Sequence, residues 1–362
     1  MTRDAVDLWG RLGRVDHRRI DDAYDEYCFS HPLETAVNNA VLKSWIPTPA
    51  GAGVALRCVE HPELRSRLDW ADLVIVEHPW QFAACRRLKP ESKFVFSSHN
   101  MEPDKITSFA QSRGRPLGWQ MWVRWIERME SEACRKASLI YTVSEADRQE
   151  TSKRYGVELE KTLAVPNSAD CREMRVVSQS ERRAEKRRLG LPDKPLVVFA
   201  HGPAHSAGLP AFRWLEGLAT ANDRIHCLMA GALFSGPEQR QNLTITGPVV
   251  DIKPYIRAAD FGICPIEYGA GTKTKLIEAL SAGLPTVVLE PSLHGFDLEP
   301  EKHLLVADAS VEALSAAFER LLDDPQLAAR LGSAGRAFVE KHHDWDVHVD
   351  RLDEALCRLV DG

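Results

Sequence analysis

Residues 261–288 read FGICPIEYGAGTKTKLIEALSAGLPTVV, and the fold can be worked out from this stretch. Phe261 to Cys264 is a short apolar run that suits a buried strand, and residues 267–271 make a flexible turn. Thr272 to Ala282 then places Leu276, Ile277 and Leu280 on one helical face, and Pro285 opens another apolar run. Strand, glycine-rich turn, helix and strand in that order belong to a parallel α/β sheet. Gly269 and Gly271 let the backbone turn sharply and come close to a ligand. The free N–H groups and positive dipole end of the following helix favour an anion such as a diphosphate. Lys273 and Lys275 stand in the first turn, where cations are disfavoured unless an anion offsets them. Glu278 follows Lys275 by three residues. Its carboxylate can accept hydrogen bonds from ribose hydroxyls or pair with Lys275 on the surface, and both readings stand at this point.

The same pattern extends upstream. Apolar runs at 195–202, 226–231, 243–247 and 261–265, with a further one from Pro285, form one doubly wound unit. Runs at 73–77, 94–98 and 139–144 are strands of another. The helix before the last of these carries Trp122, Trp125, Ile126, Met129 and Ala133 on one face, a core stripe. Ser144, with Asp147 three residues on, reads as a helix N-cap. Residues 162–170 and the charged stretch to Leu189 read as a linker, with residues 181–188 a solvated helix face. The expected division is therefore 1–170, 171–345 and a terminal helix, 346–362, packing back on the first domain. The first sixty residues show no strand, glycine-rich turn and helix of the kind that opens a doubly wound domain. The N-terminal domain is thus expected to be divergent or reduced.

Composition narrows the classes further. The 362 residues are 44% hydrophobic and 27% charged with a net charge of −6, which suits an ordinary two-domain protein and excludes a basic nucleic-acid binder. There is no apolar run of about 18–20 residues and no apolar signal core. The expectation is a cytoplasmic protein, with peripheral contact at the inner face of the membrane left open. The eight cysteines are scattered and read as buried free thiols, and the thirteen histidines lack zinc-site spacing. No metal and no cofactor are expected.

The segment GAGTKTKLIEALSAGLPTVV resembles the donor-binding signature of glycosyltransferase family 4, the retaining group with the GT-B fold. Other pieces match in the family's order. Residues 139–157 resemble its strand ending in Val-Ser before a helix, and residues 165–170 its Val-Pro-Asn turn. Residues 245–265 are similar to its Gly-x-Val segment, and residues 330–346 to its closing helices. The resemblance implies an α/β fold of two Rossmann-like domains facing across a cleft. It implies that Glu278 holds the donor ribose, that Gly271, Thr272 and Lys273 lie against the diphosphate, and that Val249 or its neighbours contact the base. It also points to His99, after residues 94–98, as a group at the donor sugar, the alternative being a histidine that caps the next helix or bonds loop backbone.

Three departures accompany the match. The first of the two glutamates that many members carry is absent, since Ala270 stands eight positions before Glu278; Glu267 either substitutes or is solvent-exposed. The loop at 200–208 lacks the usual Arg or Lys, leaving Gly202 and His205 as lining and the positive charge to Lys273 and Lys275. The N-terminal strand, loop and helix are missing. The leading expectation is a retaining, metal-independent transferase taking a nucleotide-sugar donor, with a carbohydrate, lipid-linked or small-molecule acceptor. A nucleotide-sugar-binding subunit without transfer activity and, less favoured, a nucleotide-sugar epimerase are the alternatives.

Overall fold

A computed structural model describes residues 14–19, 25–30, 62–112, 114–115, 118–202, 208–267 and 271–361. The chain divides into two compact units. The first holds the described residues up to Thr142, Asp147–Ala164 and the end of the chain from Ala355; the second holds Val143–Ala146 and Val165–Glu354.

In the first unit, strands β3 (Leu73–Val76), β4 (Lys93–Ser98), β5 (Leu139–Thr142) and β6 (Thr162–Ala164) form a parallel sheet in chain order. Helices α1 (Pro62–Trp70), α2 (Pro79–Leu88), α3 (Glu102–Ser112), α4 (Trp119–Lys136) and α5 (Glu145–Tyr155) accompany it. Ser144 immediately precedes α5, in the position the sequence gives to its cap. Phe82, Phe94, Phe96 and Ile140 fill one core, with the rings of Phe82 and Phe94 5.5 Å apart. The α4 stripe does face inward, Ile126 and Ala133 being fully buried. Two features depart from expectation. Thr162–Ala164, expected as linker, is the fourth strand, held by pairing with β5. In the N-terminal region β1 (Arg14–Arg19) and β2 (Asp25–Ser30) pair antiparallel in a two-stranded sheet of their own.

The α4 face also buries Glu130. Its carboxyl accepts hydrogen bonds from the Tyr155 hydroxyl at 2.6 Å and the Glu102 backbone N–H at 3.2 Å. Burial pushes this carboxyl up to about 8, against the hydrogen bonds from Tyr155 and Glu102. It is therefore a neutral acid around pH 7.

In the second unit seven strands lie in the order β13-β12-β11-β7-β8-β10-β9. They are β7 (Leu196–Ala200), β8 (His226–Ala230), β9 (Glu238–Arg240), β10 (Leu243–Ile245), β11 (Phe261–Cys264), β12 (Thr286–Leu289) and β13 (Leu305–Ala307). All pair in parallel except the short edge strand β9. Counting only the parallel strands, this is the doubly wound order in which the first strand sits at the centre. Helices α6 (Gln179–Arg188), α7 (Gly208–Ala221), α8 (Lys253–Ala258), α9 (Thr274–Ser281), α10 (Val311–Asp323), α11 (Pro325–His342) and α12 (Trp345–Asp361) complete it. Continuous apolar runs become strands here because parallel strands are covered on both faces; β7, β8, β11 and β12 are buried throughout.

The charged run at 181–188 is only partly a solvated face. Ser178 and Glu181 form a capping box at the start of α6, as a solvated helix would. Lys186, however, is buried and pairs at 2.5 Å with Asp260, whose carboxylate also accepts the Leu196 N–H at 2.8 Å. One ion pair thus ties α6 to the amino ends of the central strands. Among the described cysteines Cys134, Cys171, Cys227 and Cys264 are buried thiols as expected, while Cys357 is exposed. No helix among the described residues is long and apolar enough to cross a membrane.

Candidate functional site

Strand order locates the site before any side chain is considered. β7 pairs on one side with β8 and on the other with β11, and the chain winds away from it in both directions. Loops leaving the carboxyl ends of β7 and β11 therefore part company and leave a crevice, the place where ligands bind open α/β sheets. The loop leaving β11 is the one with which the sequence reading began.

That loop is fixed at its start. The Ser292 hydroxyl donates to the Cys264 carbonyl at 2.6 Å and accepts the Ile266 N–H at 3.3 Å. Glu267 is exposed. Gly269 lies outside the described residues. Gly271 adopts a left-handed conformation, φ 73°, which only glycine takes without strain, and Thr272 follows it, buried. Lys273 is the N-cap of α9 in an extended conformation, the helix start has no side-chain cap, and its first turn holds no acidic residue. A lysine stands where Ser, Thr, Asp or Asn is normally favoured, and no acidic residue in the first turn answers the positive end of the helix.

The two lysines behave differently. Lys273 folds back, its Nζ donating to the Gly271 carbonyl at 2.6 Å, with the residue 8% exposed. Lys275 reaches outward to within 3.9 Å of Glu278. At that distance the pair is a loose ion pair, not a hydrogen bond. Burial pushes the Glu278 carboxyl up, with Lys275 opposing. Among the described residues Glu278 accepts no side-chain hydrogen bond, so its oxygens are open to a ligand's hydroxyls.

α9 is held against the sheet by close approach. A Cβ on Gly262 of β11 would lie 2.8 Å from the Ala279 Cβ, and one on Gly335 of α11 would lie 2.7 Å from Leu280 Cδ2. At Gly262 the Ala279 Cβ leaves no room for a side chain, and at Gly335 the end of the Leu280 side chain would have to move, so the helix bearing Lys275 and Glu278 is closely packed on two sides.

From β7 the chain enters His201, a residue the sequence reading passed over in favour of Gly202 and His205. His205 lies outside the described residues; Gly202 is half-buried. The His201 ring is buried, with Nδ1 3.0 Å from the Gly202 carbonyl oxygen. Burial holds its pKa below the ordinary range; the Gly202 carbonyl opposes this and Lys275 adds to it, so the imidazole is neutral at physiological pH. Its backbone N–H donates to Ala230 at 2.9 Å, bringing the turn after β7 onto the end of β8. The signal in the sequence is the glycine closing the run at 226–231, since Gly231 lies directly against His201. Val249 is half-exposed on the loop after β10.

His99 belongs to the first unit, just past β4. Its Nε2 is 3.9 Å from Glu77 and hydrogen-bonds to no described atom, leaving the loop-backbone alternative without support at that nitrogen. Its ring lies 5.5 Å from that of His78, which stacks on Trp80 at 4.4 Å. Burial first, then the neighbouring His99 and Lys105, lowers the His78 pKa to about 4. Among the described residues no group of three His, Cys, Asp or Glu is arranged to hold a metal ion.

Residues 24–173 match the family described as Glycosyltransferase Family 4, and residues 215–324 match Glycosyl transferases group 1. Over 80 residues the chain is 34% identical to a GDP-mannose-dependent monoacylated alpha-(1-6)-phosphatidylinositol monomannoside mannosyltransferase of Corynebacterium glutamicum. That match spans 22% of this chain and 21% of the relative. Among solved structures, Anabaena HepE in complex with UDP superposes with a TM-score of 0.65 at 16% identity, over 86% of this chain and 85% of that one. Sucrose-phosphate synthase from Thermosynechococcus elongatus gives 0.63 at 18% identity, over 82% and 77%. The fold is the GT-B arrangement of two Rossmann-like units.

Proposed function

Since the chain belongs to the group 1, family 4 glycosyltransferases, we propose that it is a retaining, metal-independent transferase that moves a sugar from a nucleoside-diphosphate donor to an acceptor hydroxyl. The observation that carries this is the uncapped start of α9, with Lys273 at its N-cap, Lys275 in its first turn and Glu278 one turn deeper. Helix N–H groups and the two lysines suit the diphosphate, and Glu278 suits the ribose. Gly269, Gly271, Thr272, Gly202 and His205 line the donor, with Val249 toward the base and Glu267 at the rim. Residues 171–345 hold the donor and residues 1–170 the acceptor.

In this reading no protein nucleophile is required. The acceptor oxygen attacks C1 from the face that the diphosphate leaves, and rate comes from positioning and from stabilising the charge that grows on the leaving group. His99 is the group assigned to hydrogen-bond the reacting sugar. The Corynebacterium relative is named for GDP-mannose and the Anabaena structures hold UDP, UDP and glucose, or UDP-glucose. Both support a nucleoside-diphosphate hexose. The acceptor is a carbohydrate or lipid-linked hydroxyl met in the cytoplasm, the latter at the inner membrane face.

Purified protein is to be melted with UDP-, GDP- and ADP-hexoses, and the mixtures analysed by mass spectrometry with candidate acceptors. A raised melting temperature and a product heavier than the acceptor by one hexose are expected. If none of the nucleotide sugars or free nucleoside diphosphates shifts the melt, the assignment of the pocket is wrong.

A further inference from the structure

We propose that Asn167 is a positioning residue of the donor site, presetting the Thr272 hydroxyl to donate its hydrogen to the diphosphate. This rests on the donor pocket proposed above and adds a residue from outside the loops that form it. Asn167 lies on the segment after β6, more than a hundred positions before the glycine-rich turn, yet its Nδ2 donates to Thr272 Oγ1 at 2.8 Å.

The backbone that carries the amide is itself held. The Asn167 backbone carbonyl accepts from His343 Nδ1 at 2.9 Å, and the His343 backbone carbonyl accepts the Ala169 N–H at 2.9 Å. The Trp345 N–H returns to the Ala169 carbonyl at 3.3 Å. His343 is 5% exposed, packed between the rings of Phe296 at 5.2 Å and Phe338 at 5.6 Å. Burial keeps this imidazole neutral, so a hydrogen on Nδ1 fixes its tautomer as a donor to Asn167. His343 thus anchors the backbone at Asn167, and from that anchored position the side-chain amide donates to Thr272.

Direction matters because a hydroxyl has one hydrogen. Thr272 Oγ1 is already an acceptor, and among the described residues its hydroxyl donates to nothing. It stands between the left-handed Gly271 and the α9 N-cap, beside Lys273. A ligand there that only accepts, as a phosphate does, takes that hydrogen together with the lysine charge.

The test is isothermal titration of the full chain with UDP, GDP and ADP, using whichever the wild type binds. Asn167→Ala frees the hydroxyl to rotate and is expected to weaken binding about tenfold, the loss of one hydrogen bond to a charged group. Asn167→Asp is expected to bind more weakly still, because an accepting carboxylate captures the Thr272 hydrogen and repels the phosphate. A side chain that merely filled space would show the opposite order. Thr272→Val is expected to lose about as much as Asn167→Ala, Thr272→Ser to bind as wild type, and the Asn167→Ala/Thr272→Val double variant to be no worse than Thr272→Val alone. Wild-type affinity in Asn167→Asp, or losses that multiply in the double variant, overturns the proposal. Should the Asn167 variants not fold, unchanged affinity in Thr272→Val overturns it alone. Binding that Glu278→Ala weakens but the Asn167 variants do not would leave the donor pocket standing and remove Asn167 from it. If the wild type binds none of the three nucleotides, the pocket and this role fall together.

Discussion

Replacing Glu130 by glutamine separates the electrostatic cost of burying this carboxyl from its hydrogen-bonding. The folded chain holds the Glu130 proton up to about pH 8, whereas an unfolded chain releases it near the ordinary value of 4.5. Between those limits the native state binds more protons than the unfolded state, so its stability falls as pH rises and the loss is complete above pH 8. At about 1.36 kcal/mol per unit the interval corresponds to roughly 4–5 kcal/mol as an upper bound. Glutamine keeps an acceptor for the Glu102 N–H and can donate to the Tyr155 oxygen, but does not titrate. Among the charged neighbours Glu102 opposes ionisation of Glu130 and Arg154 assists it, and neither is removed. Urea unfolding followed by tryptophan fluorescence suits the measurement, because all the tryptophans except Trp214 and Trp345 precede residue 143. Glu130→Gln is expected to be within about 1 kcal/mol of wild type at pH 5 and several kcal/mol more stable at pH 9. A difference that stays the same at the two pH values refutes a neutral buried acid.

Three further outcomes are expected. Gly231→Ala places a Cβ 2.1 Å from the His201 carbonyl oxygen at φ 115°, and should cost about 2 kcal/mol or more in chemical denaturation and loosen the turn carrying His201. Lys186→Met leaves Asp260 partly buried without its lysine and should cost about 2–3 kcal/mol, part of which Asp260→Asn should restore in the double variant; equal stability of the single variant would show that the pair contributes nothing. Glu278→Ala should weaken nucleoside-diphosphate binding by about 1–3 kcal/mol in calorimetry with the fold intact. Because burial raises the Glu278 pKa, wild-type affinity should fall as pH drops through the raised value and the alanine variant should lose that dependence.

Most strands were legible because parallel pairing buries both faces and forces contiguous apolar runs such as LVVFA at 196–200. Thr162–Ala164 and Leu305–Ala307 were missed for the same reason in reverse: three residues carry too little pattern, and what makes them strands is the neighbour they pair with. Glu130 was invisible because a helical stripe shows which face turns inward but not that Tyr155, one helix later, will satisfy a carboxyl there. At the site, the glycine turn and the Lys and Glu spacing were readable because they are local. That Lys273 curls back over its own turn while Lys275 reaches out is decided by packing around two backbone positions with one residue between them. The contact from Asn167 joins residues far apart in sequence and leaves no periodic trace.

The close packing of α9 has an evolutionary side. With Gly262 beneath it and Gly335 beside it, the helix bearing Lys275 and Glu278 approaches both neighbours more closely than a Cβ would allow. A residue with a side chain at either glycine therefore needs a matching change in the residue that faces it, so these paired positions are expected to change together or not at all.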